Sequence, residues 1–78
     1  MLSVDEAEKR AVEYLKNKFN ASSIDVQEAS PAQVGTLFIG RFVDKDETKN
    51  FEVTIGTAGK ILGWKITPMI KPVARTIQ

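Results

Sequence analysis

Histidine and cysteine are both missing from the 78 residues of this chain. Without cysteine there are no disulfides and no thiolate chemistry, and an oxidising compartment is neither required nor excluded. Without histidine as well, the chain lacks Ser-His and Cys-His nucleophiles, zinc sites and the usual general base near neutral pH. Serine, threonine and lysine remain, but no motif would activate them. The sequence therefore predicts a protein that is not an enzyme and uses no cofactor.

The acidic and glycine-rich segments also lack the spacing of a ligand loop. The run DKDETKN, residues 44–50, has neither the spacing, the glycine nor the terminal glutamate of an EF-hand, which favours a solvated turn over a calcium site. Gly56, Gly59 and Gly63 punctuate a hairpin, and no helix follows them to form a phosphate loop. The sequence therefore predicts no metal site.

Long apolar runs are missing too. No segment approaches the roughly 20 apolar residues of a membrane span. Asp5 and Glu6 occupy the N-terminal stretch, where a signal peptide would need an apolar run. We therefore expect a soluble cytoplasmic protein with no membrane contact; a signal peptide removed upstream of Met1 stays open.

Acidic residues are absent after Glu52, although the net charge of the whole chain is only +1. The C-terminal part carries four cations instead, namely Lys60, Lys65, Lys71 and Arg75. A basic end suits an anionic partner, so weak binding of single-stranded nucleic acid through these four residues is one hypothesis. Four cations spread over a hairpin and a tail are more typical of a solvated surface. Nucleic-acid binding is therefore the alternative hypothesis.

The chain begins with the pattern of an amphipathic helix. Ser3 and Glu6 have the spacing of a capping box, in which each side chain accepts a hydrogen bond from the other residue's amide. Ala7 and Ala11 lie on its inner side. The helix is predicted to end near Phe19 and Asn20, because asparagine tolerates the left-handed conformation of a helix C-terminus.

Four β-favouring segments follow the helix. They are residues 23–29, 34–43, 51–55 and 60–66. Short connections make consecutive strands antiparallel neighbours. The predicted fold class is therefore α+β, with one N-terminal helix packed on a three- to four-stranded antiparallel meander sheet. A single domain would span residues 1–67, and residues 68–78 would form a C-terminal tail that packs back on the sheet or stays flexible.

The segment 34–43 is apolar on both faces of its strand. Its aliphatic face carries Leu37, Ile39 and Val43. Phe38 and Phe42 lie on the other face, with Gly40 between them. If the aliphatic face meets the helix, the two phenylalanines need another cover, because an exposed aromatic patch usually marks an interface. The tail, a second chain and a ligand groove are the alternatives, and we predict a partner-binding site of Phe38, Phe42 and the adjacent Arg41.

The last two strands are predicted to supply the core. Each contributes three residues to one face, and they are Phe51, Val53 and Ile55, then Leu62, Trp64 and Ile66. Trp64 would pack over the small side chains of Ala7 and Ala11. A stacking platform of Trp64 with Lys60 and Lys65 is the alternative, but Trp64 and Lys65 point to opposite faces. Glycines inside strands, such as Gly40 and Gly63, usually admit a neighbouring aromatic ring or a bulge.

The order of these elements resembles the PepSY domain family. The likeness covers residues 4–67, and its motif lies in the hairpin FEVTIGTAGKILGWKI, residues 51–66. Three pieces carry it, namely Phe51-Glu52-Val53, Gly59-Lys60 and Leu62-Gly63-Trp64-Lys65-Ile66. The resemblance implies a non-catalytic module that binds or restrains a partner protein, with peptidases as the usual suggestion. Our leading hypothesis is accordingly a small protein-interaction module, regulatory or inhibitory, that forms a homodimer through the Phe38 and Phe42 face.

Overall fold

The computed structural model describes residues 3–68 of the chain. Its elements in chain order are α1 (Val4–Phe19), β1 (Ser22–Pro31), β2 (Gly35–Asp44), β3 (Glu47–Gly56) and β4 (Ile61–Pro68). The strands form one antiparallel sheet in the order β1-β2-β3-β4, and the helix packs over β1, β2 and β3. This confirms the predicted α+β meander. Of the predicted tail, residues 68–78, Pro68 is the last residue of β4, and residues 69–78 lie outside the described residues.

Helix α1 starts and ends as its sequence predicts. The Glu6 amide donates to Ser3 Oγ at 3.2 Å, and the Ser3 amide donates back to Glu6 Oε1 at 3.4 Å. These bonds satisfy two amides that have no partner within the helix. Asn20 caps the other end in the left-handed region, with φ of 57°. Over the described part of the chain, no helix has the length and apolar character needed to cross a membrane.

Loss of the capping box should cost a measurable part of the stability. We expect Ser3→Ala to lower the free energy of unfolding by about 1 kcal/mol, because the Glu6 amide loses its acceptor. Urea unfolding followed by circular dichroism measures this loss. Ser30→Ala, at an exposed position on β1, is the matched control and should stay within about 0.5 kcal/mol of the wild type. Equal losses in the two variants would contradict the role assigned to the cap.

Two of the three hairpin turns are shorter than expected. Ala32 and Gly35 exchange backbone hydrogen bonds across a two-residue turn between β1 and β2. Lys45 and Asp46 alone connect β2 to β3, both with positive φ, 49° and 67°. Two positive φ values are what a type I′ hairpin turn requires. The prediction that residues 44–50 form one solvated turn is therefore wrong, because most of them belong to strands.

The core lies between α1 and one face of the sheet. Its buried residues are Ala7, Ala11, Leu15, Ala21, Phe38, Phe42, Phe51, Val53 and Ile55. The strand register explains this set, since Phe38 lies opposite Val53 and Gly40 lies opposite Phe51. Residues directly opposite in an antiparallel pair share a face. The aromatic face of β2 is thus the one that meets the helix.

Phe38 and Phe42 do not lie on a face that needs cover from the tail, a second chain or a ligand, as was predicted, because they lie on the helix side of the sheet. Their side chains are 0% and 1% exposed, buried by residues of their own chain. The reason is Gly40, which lies between them. A Cβ at Gly40 would approach the Phe51 ring to 2.9 Å, so the missing side chain makes room for that ring. Three phenylalanines therefore pack closely on this face, and burial of aromatic area outweighs burial of the aliphatic face.

The aliphatic side chains of β2 lie instead on the outer face, which is the sheet face opposite α1. Leu37, Ile39 and Val43 are half-buried there. Their cross-strand neighbours on β3 are polar, with Thr54 opposite Leu37 and Glu52 opposite Ile39. The outer face is therefore a mixed surface, in which polar side chains flank each aliphatic one.

A bulge at the start of β4 corrects the predicted position of Leu62. Gly63 pairs with Thr54 and Ile61 pairs with Ile55, so Leu62 is the extra residue. Ile61 takes the place against the core, and Leu62 is 53% exposed. Leu62 was predicted to be a core residue because strict alternation cannot anticipate an inserted residue.

Candidate functional site

The structure separates the three residues predicted to bind a partner. Phe38 and Phe42 lie under the helix. Arg41 lies on the outer face, where its Nε and Nη2 donate to the Gln27 amide oxygen at 3.0 and 3.1 Å in the amide orientation that satisfies both groups. These residues therefore do not form one surface.

The cations of the alternative nucleic-acid site are only partly described. Lys60 and Lys65 are exposed, whereas Lys71 and Arg75 lie outside the described residues. Lys65 is opposite Glu52 and shares the outer face with it, while Trp64 is opposite Val53 and shares the helix side. Trp64 and Lys65 thus occupy opposite faces, as the alternation predicts, and do not line a single groove.

Trp64 is the largest exposed aromatic side chain in the described part of the chain. It lies on the predicted face of the sheet, but it is 47% exposed. The prediction that Ala7 and Ala11 bury it is wrong. Those two alanines pack in the core with β2 and β3 residues, and Trp64 meets the opposite, C-terminal end of the helix. Period-two alternation gives the face of a strand residue, but not the part of the helix above it.

Phe19, the last residue of α1, holds the indole in place. The two ring centroids are 5.0 Å apart and the rings meet edge to face at 70°. Phe19 also stacks on Phe42 at 6.3 Å, and Phe42 contacts Phe51 at 6.2 Å. Such aromatic pairs each contribute about 0.5–1.5 kcal/mol beyond the burial of their area. A row of rings therefore connects Trp64 to the centre of the core and fixes its orientation.

Lys18 adds a positive charge to this surface. Its Nζ lies 5.5 Å from the Trp64 ring centroid and 5.9 Å from that of Tyr14. An ammonium over an aromatic face is attracted by the ring quadrupole, by about 0.5–1 kcal/mol at an exposed site. We call the group of Trp64, Phe19, Lys18 and Tyr14 the Trp64 site. Sequence reasoning missed Phe19 and Lys18 as members of this site, because their contacts with Trp64 depend on which end of the helix lies over β4.

The two edges of the sheet differ beside this site. Edge strand β1 has register irregularities between Ser22 and Asp25 and between Val26 and Glu28, and Ser23 has φ of 47°. Such breaks disturb the pairing of a further strand along residues 22–28 and leave only residues 28–31 in continuous register. Edge strand β4 pairs with β3 without interruption from Gly63 to Pro68. Among residues 3–68, β4 is therefore the edge whose geometry can accept another strand.

A shallow cleft at the other end of the molecule is a weaker candidate. Its volume is about 170 Å³. Its lining consists of Val4, Ala7, Pro31, Ala32, Gly35, Thr36, Ile55, Gly56 and Thr57. None of these carries a charge, and within residues 3–68 no group of three or more acidic side chains is placed to hold a metal ion. The Trp64 site offers the more specific chemistry, which is recognition by a fixed aromatic ring and a cation.

Comparison with known proteins returned no match. No family model, no curated protein and no solved structure matches the chain.

Proposed function

We propose that this protein is a small non-catalytic protein-interaction module that binds its partner through the Trp64 site. A single observation carries the proposal, namely a half-exposed tryptophan packed edge to face on Phe19, in a strand that forms one edge of the sheet among residues 3–68. Residues that dominate binding energy at protein interfaces are enriched in tryptophan, and a ring that is already ordered loses little entropy on binding.

The sequence supports the same proposal. The PepSY resemblance implies a module that binds or restrains a protein, and a regulatory or inhibitory role is proposed on that basis. A cytoplasmic location is proposed separately, from the acidic residues near the N-terminus and the lack of a long apolar run. Nucleic-acid binding is the less favoured alternative, because Lys18 shares a face with Trp64 whereas Lys65 lies on the opposite one. Among residues 3–68, a single strand stacked on Trp64 would therefore meet Lys18 but not Lys65.

Photo-crosslinking from position 64 tests the proposal. We expect Trp64→p-benzoylphenylalanine to give crosslinked protein products in cells of the source organism, because the side chain would lie at the interface. The same residue in place of Val34 is the matched control, since Val34 is 66% exposed in the turn between β1 and β2. The partner identified in this way is then purified without the crosslink. Its affinity for Trp64→Ala should be about tenfold or more lower than its affinity for the wild type.

Two outcomes would overturn this function. If position 64 gives the same products as position 34, the Trp64 site is not an interface. If position 64 crosslinks to nucleic acid instead of protein, the alternative function replaces the proposed one.

A further inference from the structure

The open edge of β4 has a chemical pattern that selects its partner. Lys65 points to the outer face, while Trp64 and Ile66 point to the helix side, as their partners Glu52, Val53 and Phe51 show. A strand added next to β4 would place its own side chains alternately on the same two faces. Alternate residues of such a strand would therefore lie on the same face as Lys65, and the residues between them would lie on the same face as Trp64 and Ile66.

Charge decides which residues fit beside Lys65. Residues 53–68 contain Lys60 and Lys65 but no acidic residue. Glu52 already lies opposite Lys65 on β3, so an acid on the added strand would continue the alternation of negative and positive charge across the sheet. Opposite charges directly across a strand pair stabilise it, and like charges destabilise it.

Resting on the proposed function, we propose that the partner adds an extended strand to the edge of β4 that no strand of residues 3–68 occupies, with an acidic side chain beside Lys65 flanked by apolar side chains over Trp64 and Ile66. Backbone hydrogen bonds to the strand edge supply affinity in this mode, and alternate side chains supply specificity. A second copy of the chain fits this edge less well. Pairing β4 with β4 brings together two strands that carry lysine and no acid.

A designed peptide tests the partner class directly. The probe is a blocked peptide of alternating valine and glutamate, of the length of an ordinary strand, titrated into the full chain. Trp64 is the only tryptophan, so the fluorescence of the protein reports on this site alone. We expect a blue shift as the indole is covered. Binding should be about tenfold tighter than that of the matched valine-lysine peptide, and the difference should shrink as salt is added.

Two changes separate strand addition from simple charge attraction. Lys65→Glu should reverse the preference between the two peptides, and Lys65→Gln should abolish it, with thermal unfolding confirming that both variants fold. A valine-glutamate peptide methylated on alternate backbone nitrogens should lose most of its affinity, because it lacks the donors of one strand edge. Undiminished binding of the methylated peptide would contradict strand addition.

Failure of this inference is distinct from failure of the proposed function. In one outcome, crosslinking at position 64 captures a protein while neither peptide shifts the fluorescence. That result would support the proposed interaction module and contradict the proposal that its partner is an acidic extended strand. Equal binding of both peptides overturns the charge selection. A blue shift that grows with the concentration of the protein alone would identify a second copy as the partner instead.

Discussion

Replacing Phe38 with alanine should lower the free energy of unfolding by about 3–5 kcal/mol, the usual cost of removing a buried phenylalanine. The side chain is 0% exposed and packs under α1, opposite Val53. A chain of 78 residues has a total stability of about 4–12 kcal/mol, at about 0.05–0.15 kcal/mol per residue. The loss equals the whole stability at the low end of this range and about a third of it at the high end, so the variant should unfold at a much lower urea concentration than the wild type. Urea unfolding followed by far-ultraviolet circular dichroism measures the change.

Leu37 is the matched control for this prediction, because it directly precedes Phe38 in the same strand and its side chain lies on the outer face of the sheet. It is half-buried among polar neighbours on the outer face, so Leu37→Ala should cost about 1 kcal/mol or less. If Phe38→Ala is too unstable to measure, Phe38→Leu should fold and cost about 1–2 kcal/mol. A greater loss from Leu37→Ala than from Phe38→Ala would mean that the faces of β2 are assigned the wrong way round.

Alanine in place of Gly40 should destabilise the protein by about 3 kcal/mol, the upper end of the usual range for overpacking. The added Cβ would overlap the backbone oxygen of Asp25 and approach the Phe51 ring to 2.9 Å. Backbone on one side and a core ring on the other leave little room for adjustment.

Gly63 provides the matched control for Gly40, since it is also a glycine inside a strand. A Cβ there has no atom within 4 Å. Gly63→Ala should therefore raise the stability by about 0.5–1 kcal/mol, because alanine loses less conformational entropy on folding. The same urea titrations compare the two variants. Gly40→Ala with wild-type stability would rule out the close approach of Phe51 that explains the core.

Local chemistry predicted much of this fold from the sequence. The Ser3 cap, the Asn20 end and the strand order each follow from neighbouring residues, so no knowledge of distant contacts was needed. Gly40 was predicted to admit either an aromatic ring or a bulge, and the structure places the Phe51 ring beside it.

The candidate site was harder to predict, because it depends on which distant elements meet. Both faces of β2 are apolar, and alternation alone does not say which one the helix covers. The residue that indicates the covered face is Gly40, because its missing side chain leaves room for an aromatic ring between Phe38 and Phe42. For Trp64 the alternation gave the correct face, but its exposure depends on the helix end that lies nearby.

The different regularity of β1 and β4 also bears on how the protein behaves at high concentration. Polymers of sheet proteins grow when one edge of each copy pairs with the opposite edge of the next, so growth requires two regular edges. In the described part of this chain, the irregular pairing at Ser22–Asp25 and Val26–Glu28 disrupts one of them. A strand received at β4 would therefore leave only the irregular edge of β1 for further growth among the described residues, which lowers the tendency of the protein to polymerise.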